Sequence, residues 1–270
     1  MIEKTVIFIL GALVGSFFNV CVYRLPRGIS IVRPRSFCTN CKKMIHWHDN
    51  IPFLSYILLK GKCRNCGAKY SFKYFIVEFL TGLGFLFLYA KFGLSLNFLM
   101  YAALVSGLIV ATFVDIELRE IPDEISLGGV GIGVLFNIFK SLNPGIQSNI
   151  LPVVDSLIGV VVGGGIIYLT GLFGNLLFFK LLRKKTIDGE TETMGGGDVK
   201  FLAMIGAFLG WKLAIMVFFI APFIGSVAGF YELLHKGKHT IPYGPALALA
   251  TIICIFWSDK IVFWLFGMNL

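Results

Sequence analysis

Apolar runs long enough to cross a lipid bilayer recur along this chain, and they constrain its fold more than any other feature. An α-helix rises about 1.5 Å per residue, so that about 20 apolar residues cross the roughly 30 Å hydrocarbon core of a bilayer. Of the 270 residues, 57% are hydrophobic and only 14% are charged, which excludes an ordinary soluble globular domain. We therefore predict an all-α polytopic membrane protein with about eight transmembrane helices. The apolar runs lie near residues 5–23, 74–91, 97–114, 122–139, 153–179, 199–210, 211–231 and 242–257.

Two of these runs allow a second interpretation. The runs at 199–210 and 211–231 meet at Gly210 and Trp211, and the former is short, so that one long helix and seven spans are the alternative. The first run has the hydrophobicity of a signal peptide. However, no small-residue cleavage site follows it, whereas a basic segment does. We predict a retained first helix.

The distribution of basic residues predicts the orientation of the chain. The segment from Arg24 to Lys73 holds eleven of the 24 lysines and arginines and a single acid, Asp49. By the positive-inside rule this loop is cytoplasmic, which places the N-terminus outside and the turns near 115–121, 180–198 and 232–241 on the cytoplasmic side. A nucleic-acid footprint would also be basic. We favour contact with anionic lipid headgroups and predict no nucleic-acid partner.

Four cysteines of this loop form two CxxC pairs that predict a structural zinc site. The ligands would be Cys38, Cys41, Cys63 and Cys66, with 21 residues between the pairs, slightly more than the usual spacing of about 15–20. A loop of this size buries too little apolar surface to fold without such a staple. Two disulfides are the alternative, which a reducing cytoplasm disfavours. His46 and His48 are either substitute ligands or surface polar groups.

Carboxylates within or at the ends of membrane helices are costly, so each is a functional candidate. Asp198 follows three glycines in MGGGDVKFLAMIGAFLG and opens a helix, whose N-terminus lowers the pKa of the carboxyl group. Asp115 ends the run YAALVSGLIVATFV, and the carbonyl end of that helix raises its pKa. An N-cap and a helix-end charge are the alternative interpretations of the two. The acids considered are Glu78, Asp115, Glu117, Asp123, Glu124, Asp155 and Asp198.

Asp115 and Asp198 lie at the same predicted depth and together suit the acid/base pair of an aspartic peptidase. Such a pair shares one proton, and we predict that Asp115 carries it while Asp198 acts as the base. We interpret Asp123 and Asp155 as charges at helix starts. Lys200 lies on a different helix face from Asp198, and its predicted partner is a headgroup, a substrate acid or Glu192.

Consecutive motifs over nearly the whole chain resemble one family, the bacterial type IV prepilin peptidases, which are bifunctional leader peptidase/N-methyltransferases. These motifs are GSFFNVCVYRLPRGISIVRPRSFCTNC, WHDNIPFLSY, LKGKCRNC, DIELREIPDEIS, GGGDVKFLAMIGAFLGW and IPYGPALALA. The resemblance implies that Asp115, in D-x6-PD, and Asp198, in GxGD, are the peptidase dyad. It also implies that the protein lies in the bacterial inner membrane and cuts the basic leaders of prepilins and pseudopilins after a glycine, on the cytoplasmic side. The new N-terminus is then methylated from S-adenosylmethionine. The cysteine loop resembles the zinc-binding insertion of the bifunctional members.

The methyltransferase half carries fewer signals in the sequence. A Rossmann unit does not fit this topology, and the glycines of GALVGSFFNV are typical of close helix packing. The resemblance places methylation in the N-terminal half, where Glu78 is a candidate to bind the new ammonium group or the sulfonium, with Gly82 leaving room for either. We predict three regions: a first helix at 1–23, the tetracysteine zinc domain at 24–73 and the peptidase region at 74–270. The zinc domain and its flanking helices form the predicted methyltransferase region.

For the substrate, we predict an approach past Gly195, Gly196, Gly197 and Lys200, with the loop KKTIDGETETM as a mobile rim. Two other classes of function stay open at this point. One is an ion-coupled transporter that relays protons through Asp115, Asp155 and Asp198. The other is a zinc-knuckle scaffold without catalytic activity.

Overall fold

The computed structural model describes residues 2–142, 151–177, 194–236 and 242–266, and this part of the chain is all-helical. Each of the eight predicted apolar runs overlaps one long helix. In chain order the α-helices are α1 (Ile2–Arg24), α2 (Leu54–Leu58), α3 (Lys73–Phe92), α4 (Leu96–Leu118), α5 (Asp123–Leu142), α6 (Leu151–Asn175), α7 (Gly196–Leu209), α8 (Trp211–Lys236) and α9 (Gly244–Phe266).

Among the described residues, five helices are long and apolar enough to cross a membrane, namely α1, α3, α4, α5 and α6. Two shorter apolar stretches follow at Trp211–Val227 and Gly244–Ser258. Many large apolar side chains on these helices are exposed, such as Phe223 at 74% and Val161 at 72%. Exposed apolar surface on this scale suits a lipid environment rather than water.

Gly210 separates α7 from α8, so the alternative of one long helix at this point is wrong. Its φ of +80° is a left-handed conformation that glycine adopts without the steric cost of a side chain. The Gly210 N–H donates to the carbonyl oxygen of Gly206 at 2.8 Å and closes the last turn of α7.

The described contacts divide the chain into two compact units, Met1–Val110 and Ala111–Leu270, with the boundary inside α4. In the first unit α1 packs against α3 through glycines. A Cβ atom on Gly11 would lie 2.9 Å from the Cα of Gly82, and one on Gly15 would lie 2.8 Å from the Cα of Glu78. The glycines of GALVGSFFNV therefore serve helix packing. This unit includes α3, which the division predicted from the sequence assigns to the region 74–270.

In the second unit, α7 is the central buried helix. The side chains of Phe201, Leu202 and Ile205 are fully buried. A Cβ atom on Gly163 of α6 would lie 2.5 Å from the carbonyl oxygen of Leu202. The backbones of α6 and α7 are therefore in direct contact at this glycine. Buried polar groups of α5 and α6, Asn137 and Ser156, donate to the Ala207 carbonyl oxygen at 3.0 and 2.6 Å. These contacts hold α7, and with it Asp198 in its first turn.

Candidate active site and metal centre

Asp115 lies near the C-terminal end of α4, where its side chain is 6% exposed. Its Oδ2 atom accepts a hydrogen bond of 2.8 Å from the backbone N–H of Gly244, the first residue of α9. A Cβ atom on Gly244 would lie only 2.6 Å from this oxygen. The absence of a side chain at Gly244 is therefore what lets the start of α9 hold the Asp115 carboxylate by a backbone bond.

Asp198 is the third residue of α7, and it is half-buried. Gly195 precedes the helix in an extended conformation, and its backbone N–H bonds to the Asp198 carboxylate. Asp198 is the third residue of the helix and Gly195 is its N-cap. The bond between them therefore satisfies a backbone N–H group that has no partner within the helix. The predicted position of Asp198 at the start of a helix is observed.

The two aspartate motifs converge. The Asp198 carboxyl group lies close enough to Asp115 to experience its charge. A Cβ atom on Gly197 would lie 3.3 Å from the Cβ of Ile121, so the glycine run packs directly on the segment between Asp115 and Pro122. The structure thus brings together two carboxylates that are 83 positions apart in the sequence.

An ion pair also joins the two motifs. The Nζ atom of Lys200 lies 2.7 and 2.8 Å from the two carboxylate oxygens of Asp123. The predicted partners of Lys200, a headgroup, a substrate acid or Glu192, did not include Asp123, which starts α5 as predicted. Glu192 itself lies outside the described residues. Lys200 therefore links α7 to α5 beside the dyad.

The helix N-terminus alone does not assign the shared proton. It favours the ionised form of Asp198, as the sequence-based hypothesis supposes. Burial of the carboxyl group and the neighbouring charge of Asp115 act in the opposite direction. Two interacting carboxyl groups lose their protons as a pair. The assignment of Asp198 as the base stays a prediction.

Tyr243 is a site residue that the sequence reasoning missed. Its hydroxyl oxygen is buried, and it has no hydrogen-bond partner among the described residues. The side chain lies within the electrostatic reach of Asp198. Because the next residue, Gly244, binds Asp115, the turn before α9 contacts one aspartate and lies near the other. The motif IPYGPALALA contains this pair, but nothing in its composition marks either residue as catalytic.

Asp155 is not part of this group. It is exposed near the start of α6 and lies beside Gly210, where a Cβ atom on the glycine would be 3.5 Å from the Cβ of Asp155. Gly210 follows the C-terminal end of α7, whereas Asp198 is in its first turn. The 12 positions between them correspond to about 18 Å along a helix. This separation disfavours a proton relay through all three acids.

The four predicted zinc ligands cluster in the first unit. The Sγ atoms of Cys38, Cys41, Cys63 and Cys66 all lie within 4.8 Å of one another, and no disulfide joins them. Each CxxC pair sits in a tight turn. In these turns the N–H groups of Lys42 and Gly67, four positions after the first cysteine, donate to its carbonyl oxygen at 2.8 and 2.9 Å. Both residues have positive φ.

The chemistry of this cluster suits a tetrahedral metal ion. Four thiolates without an open position are typical of structural zinc. Burial opposes ionisation of the Cys63 thiol, but backbone N–H groups of Cys66 and Asn65 donate to the sulfur, so that its pKa falls to about 6. His46 and His48 stack on each other at 5.4 Å and are not in the cluster.

Glu78 and Gly82, the predicted cofactor-binding residues, have different surroundings. Glu78 is 8% exposed and lines a cavity of the first unit. Its Oε2 atom accepts a hydrogen bond of 3.0 Å from the backbone N–H of Phe53. A Cβ atom on Gly82 would lie 2.8 Å from the ring of Phe8, so α1 fills the space beside this glycine. Gly82 is not among the residues that line the cavity.

Comparison with known proteins agrees with this geometry. Residues 9–92 match the Bacterial Peptidase A24 N-terminal domain, and residues 102–230 match the Type IV leader peptidase family. A protein from Aeromonas salmonicida (strain A449) named Prepilin leader peptidase/N-methyltransferase is 32% identical over 96% of this chain and 92% of its own length. Proteins of the same name from Neisseria gonorrhoeae and Legionella pneumophila are 31% and 30% identical, over 94% of this chain and 90% and 91% of their own lengths. No solved structure matches the chain significantly. This chain belongs to the type IV leader peptidase family.

Proposed function

We propose that this chain is a membrane-embedded aspartic endopeptidase that removes the leader from type IV prepilins and pseudopilins and then N-methylates the new N-terminal residue. The observation that carries the peptidase is the convergence of Asp115 and Asp198 beside the glycine run. The relatives' name, Prepilin leader peptidase/N-methyltransferase, supports both activities.

The dyad would supply acid and base in one site. The ionised carboxylate takes a proton from a water molecule whose oxygen adds to the scissile carbonyl carbon, while the protonated carboxyl group hydrogen-bonds to the carbonyl oxygen. When the C–N bond breaks, the leaving amine accepts a proton from the dyad. The hydroxyl of Tyr243 lies near Asp198 and has no partner among the described residues, and it would donate to the oxyanion.

The surroundings of Asp198 suit an extended peptide. Gly195 and Gly196 are exposed, and a Cβ atom on Gly196 would meet nothing within 4 Å. A substrate strand can therefore approach the carboxylate closely. The predicted rim, residues 184–194, lies outside the described residues except for Met194. Cross-linkers at Thr191 and Met194 would capture prepilin if this rim holds the substrate.

The methyltransferase would use S-adenosylmethionine as the methyl donor. The tetracysteine loop, residues 24–73, would be a structural element whose fold a zinc ion stabilises. The four sulfur atoms fit one zinc ion, which would hold the loop against α1 and α3 without entering the chemistry. Glu78 is the proposed contact for a positively charged group. Gly82 was proposed with it, but the contact with Phe8 supports a packing role for this glycine.

We further propose a multi-pass protein of the bacterial inner membrane with eight spans, an external N-terminus, and the zinc loop and dyad on the cytoplasmic side. A dyad at this boundary allows the apolar helix of a prepilin to stay in lipid while its leader meets water. The basic loop supports contact with anionic headgroups, and we propose no nucleic-acid partner.

One assay tests this proposal against a transporter and a scaffold. Purified protein is incubated with a prepilin and labelled S-adenosylmethionine, and the product N-terminus is read by mass spectrometry. The wild type should release the leader and methylate the product. Asp198→Asn should abolish cleavage, whereas Asp155→Asn, a matched control at the other end of α7, should not. Cleavage by Asp198→Asn at the wild-type rate would refute the peptidase mechanism.

A further inference from the structure

A cavity opens in the first unit where the C-terminal half of α1 and the start of α3 meet the tetracysteine loop. It encloses about 930 Å³ outside the protein atoms, part of which is open solvent. Seven of its twenty lining residues are aromatic, Phe53, Tyr56 and Tyr74 among them. Nine others are polar or charged. Ligand sites usually combine apolar and aromatic side chains with polar groups that orient the ligand.

Asn19 presents an unsatisfied acceptor at this cavity. The side chain lines the cavity and is only 8% exposed. Its Nδ2 group donates to the carbonyl oxygen of Tyr74 at 3.1 Å, which fixes the orientation of the amide. The Oδ1 atom is buried and has no partner among the described residues. A buried acceptor without a donor is destabilising, so this atom points to a ligand that brings an N–H or O–H donor or a positive charge.

Glu78 provides a second acceptor on the same wall. Its carboxylate is held by the backbone N–H of Phe53 and the hydroxyl of Ser16. Phe53 has a φ of +60°, uncommon for a residue with a side chain, in the conformation that aims its N–H at this carboxylate. Tyr74, which holds Asn19, lies one helical turn before Glu78 on α3. Asn19 of α1 bonds to α3 at Tyr74, and Glu78 is one turn further along α3. Asn19 and Glu78 therefore lie close to each other on the wall of the cavity.

Two more charged residues line the cavity, Asp49 and Arg24, and they indicate which charges a ligand should carry. Asp49 also lines it, but Arg64 binds both oxygens of this carboxylate at 2.8 and 2.7 Å. Arg24 is 3% exposed and donates to two backbone carbonyl oxygens, and no carboxylate of the described residues pairs with it. The cavity thus offers one negative group, Glu78, and one positive group, Arg24. A zwitterionic ligand with an additional positive charge matches this set.

We infer that this cavity is the methyl-donor site, an inference that rests on the proposed methyltransferase function. S-adenosylmethionine carries a sulfonium, an ammonium, a carboxylate and a purine. Asn19 Oδ1 and the Glu78 carboxylate hold its positive groups, and Arg24 faces its carboxylate. The aromatic walls stack against the purine and stabilise the sulfonium through their π faces. The cavity adjoins the loop that is proposed to be cytoplasmic, the compartment from which a charged metabolite would enter.

Direct binding tests this assignment. Labelled S-adenosylmethionine is equilibrated by dialysis with the full-length detergent-solubilised chain, as wild type, Asn19→Leu and Glu78→Gln. We expect each variant to bind at least about tenfold more weakly, since a polar contact to a charged ligand group is lost. Thr81→Val is the matched control: Thr81 is fully buried on the same helix, bonds to its own helix at Val77, and does not line the cavity.

Two further readouts separate the possible outcomes. The zinc content per chain reports whether the first unit of each variant has folded, and Glu78→Gln keeps the size of the side chain and an acceptor for Phe53. S-adenosylhomocysteine lacks the sulfonium charge and should bind the wild type more weakly, with a smaller difference in Glu78→Gln. Wild-type affinity in both variants, with a wild type that methylates, would overturn the site but not the proposed function. A wild type that neither binds nor methylates would overturn the proposed methyltransferase and this site with it.

Discussion

Replacing Gly244 with alanine tests whether the start of α9 positions the dyad. A Cβ atom at this position would lie 2.6 Å from Oδ2 and 3.2 Å from Cγ of Asp115, whereas ordinary contacts begin at 3.4 Å. The carboxylate must therefore move by at least 0.8 Å, the difference between 3.4 and 2.6 Å. A displacement of about 1 Å at a reacting group costs about 100-fold in rate.

The same substitution should cost little stability. The atoms displaced are the end of one short side chain, and Gly244 is not among the glycines with positive φ. Alanine is also favoured over glycine in a helix by up to about 1 kcal/mol. We therefore expect Gly244→Ala to fold with the wild-type melting temperature and to cleave a prepilin with a kcat about 100-fold lower.

The control is Gly131→Ala in α5 of the same unit, where the added Cβ atom meets nothing within 4 Å. It should cleave at the wild-type rate. Single-turnover cleavage, followed by gel shift of the shortened pilin, measures both variants. Wild-type cleavage by Gly244→Ala would refute the argument that backbone contact at this glycine sets the position of Asp115.

Three further predictions concern the neighbours of the dyad and the metal centre. Tyr243→Phe should lower kcat about 10- to 100-fold with little change in KM, since its donor would act on the oxyanion; an unchanged kcat would exclude this role. Lys200→Met should reduce stability by less than about 1 kcal/mol and cleavage by less than fivefold, because Lys200 and Asp123 are partly exposed; a loss as large as that of Asp198→Asn would show a direct catalytic part. Purified protein should hold one zinc ion per chain by elemental analysis, and Cys63→Ser should lose zinc and methylation while cleaving normally; methylation without zinc would contradict the structural role of the cluster.

Local patterns predicted the helices and the two CxxC turns because each depends on neighbouring residues. The apolar runs place α1 and α3 to α9, and the CxxC spacing brings each thiol pair together within a single turn. The small residues Gly11 and Gly15 were rightly interpreted as packing positions, because close helix contact leaves a spacing signal in the sequence.

Features that depend on the contact of distant segments could not be predicted in the same way. The pairing of Lys200 with Asp123 requires the packing of α5 against α7, which no local pattern encodes. Gly244 contacts Asp115, and Tyr243 lies near Asp198, only because α9 begins beside the end of α4. The balance of burial against the helix N-terminus at Asp198 likewise depends on the packed helices, so that the proton could not be assigned from position in the helix.

The dyad is also testable through the pH dependence of cleavage. With one shared proton, the active form holds a single negative charge on the pair. Acid removes this form by adding the second proton, and base removes it by taking the last one. The rate should therefore fall on both sides of an optimum.

The most direct test of the account compares kcat for Asp115→Asn, Asp198→Asn and the double variant with that of the wild type. Residues that act as one unit lose their function together, so the effects of their removal do not add. We expect each single variant to lose at least about 1,000-fold in cleavage and the double variant to lose no more than either. Cleavage by one single variant at more than about a hundredth of the wild-type rate, or a double loss equal to the product of the two single losses, would contradict a shared catalytic pair.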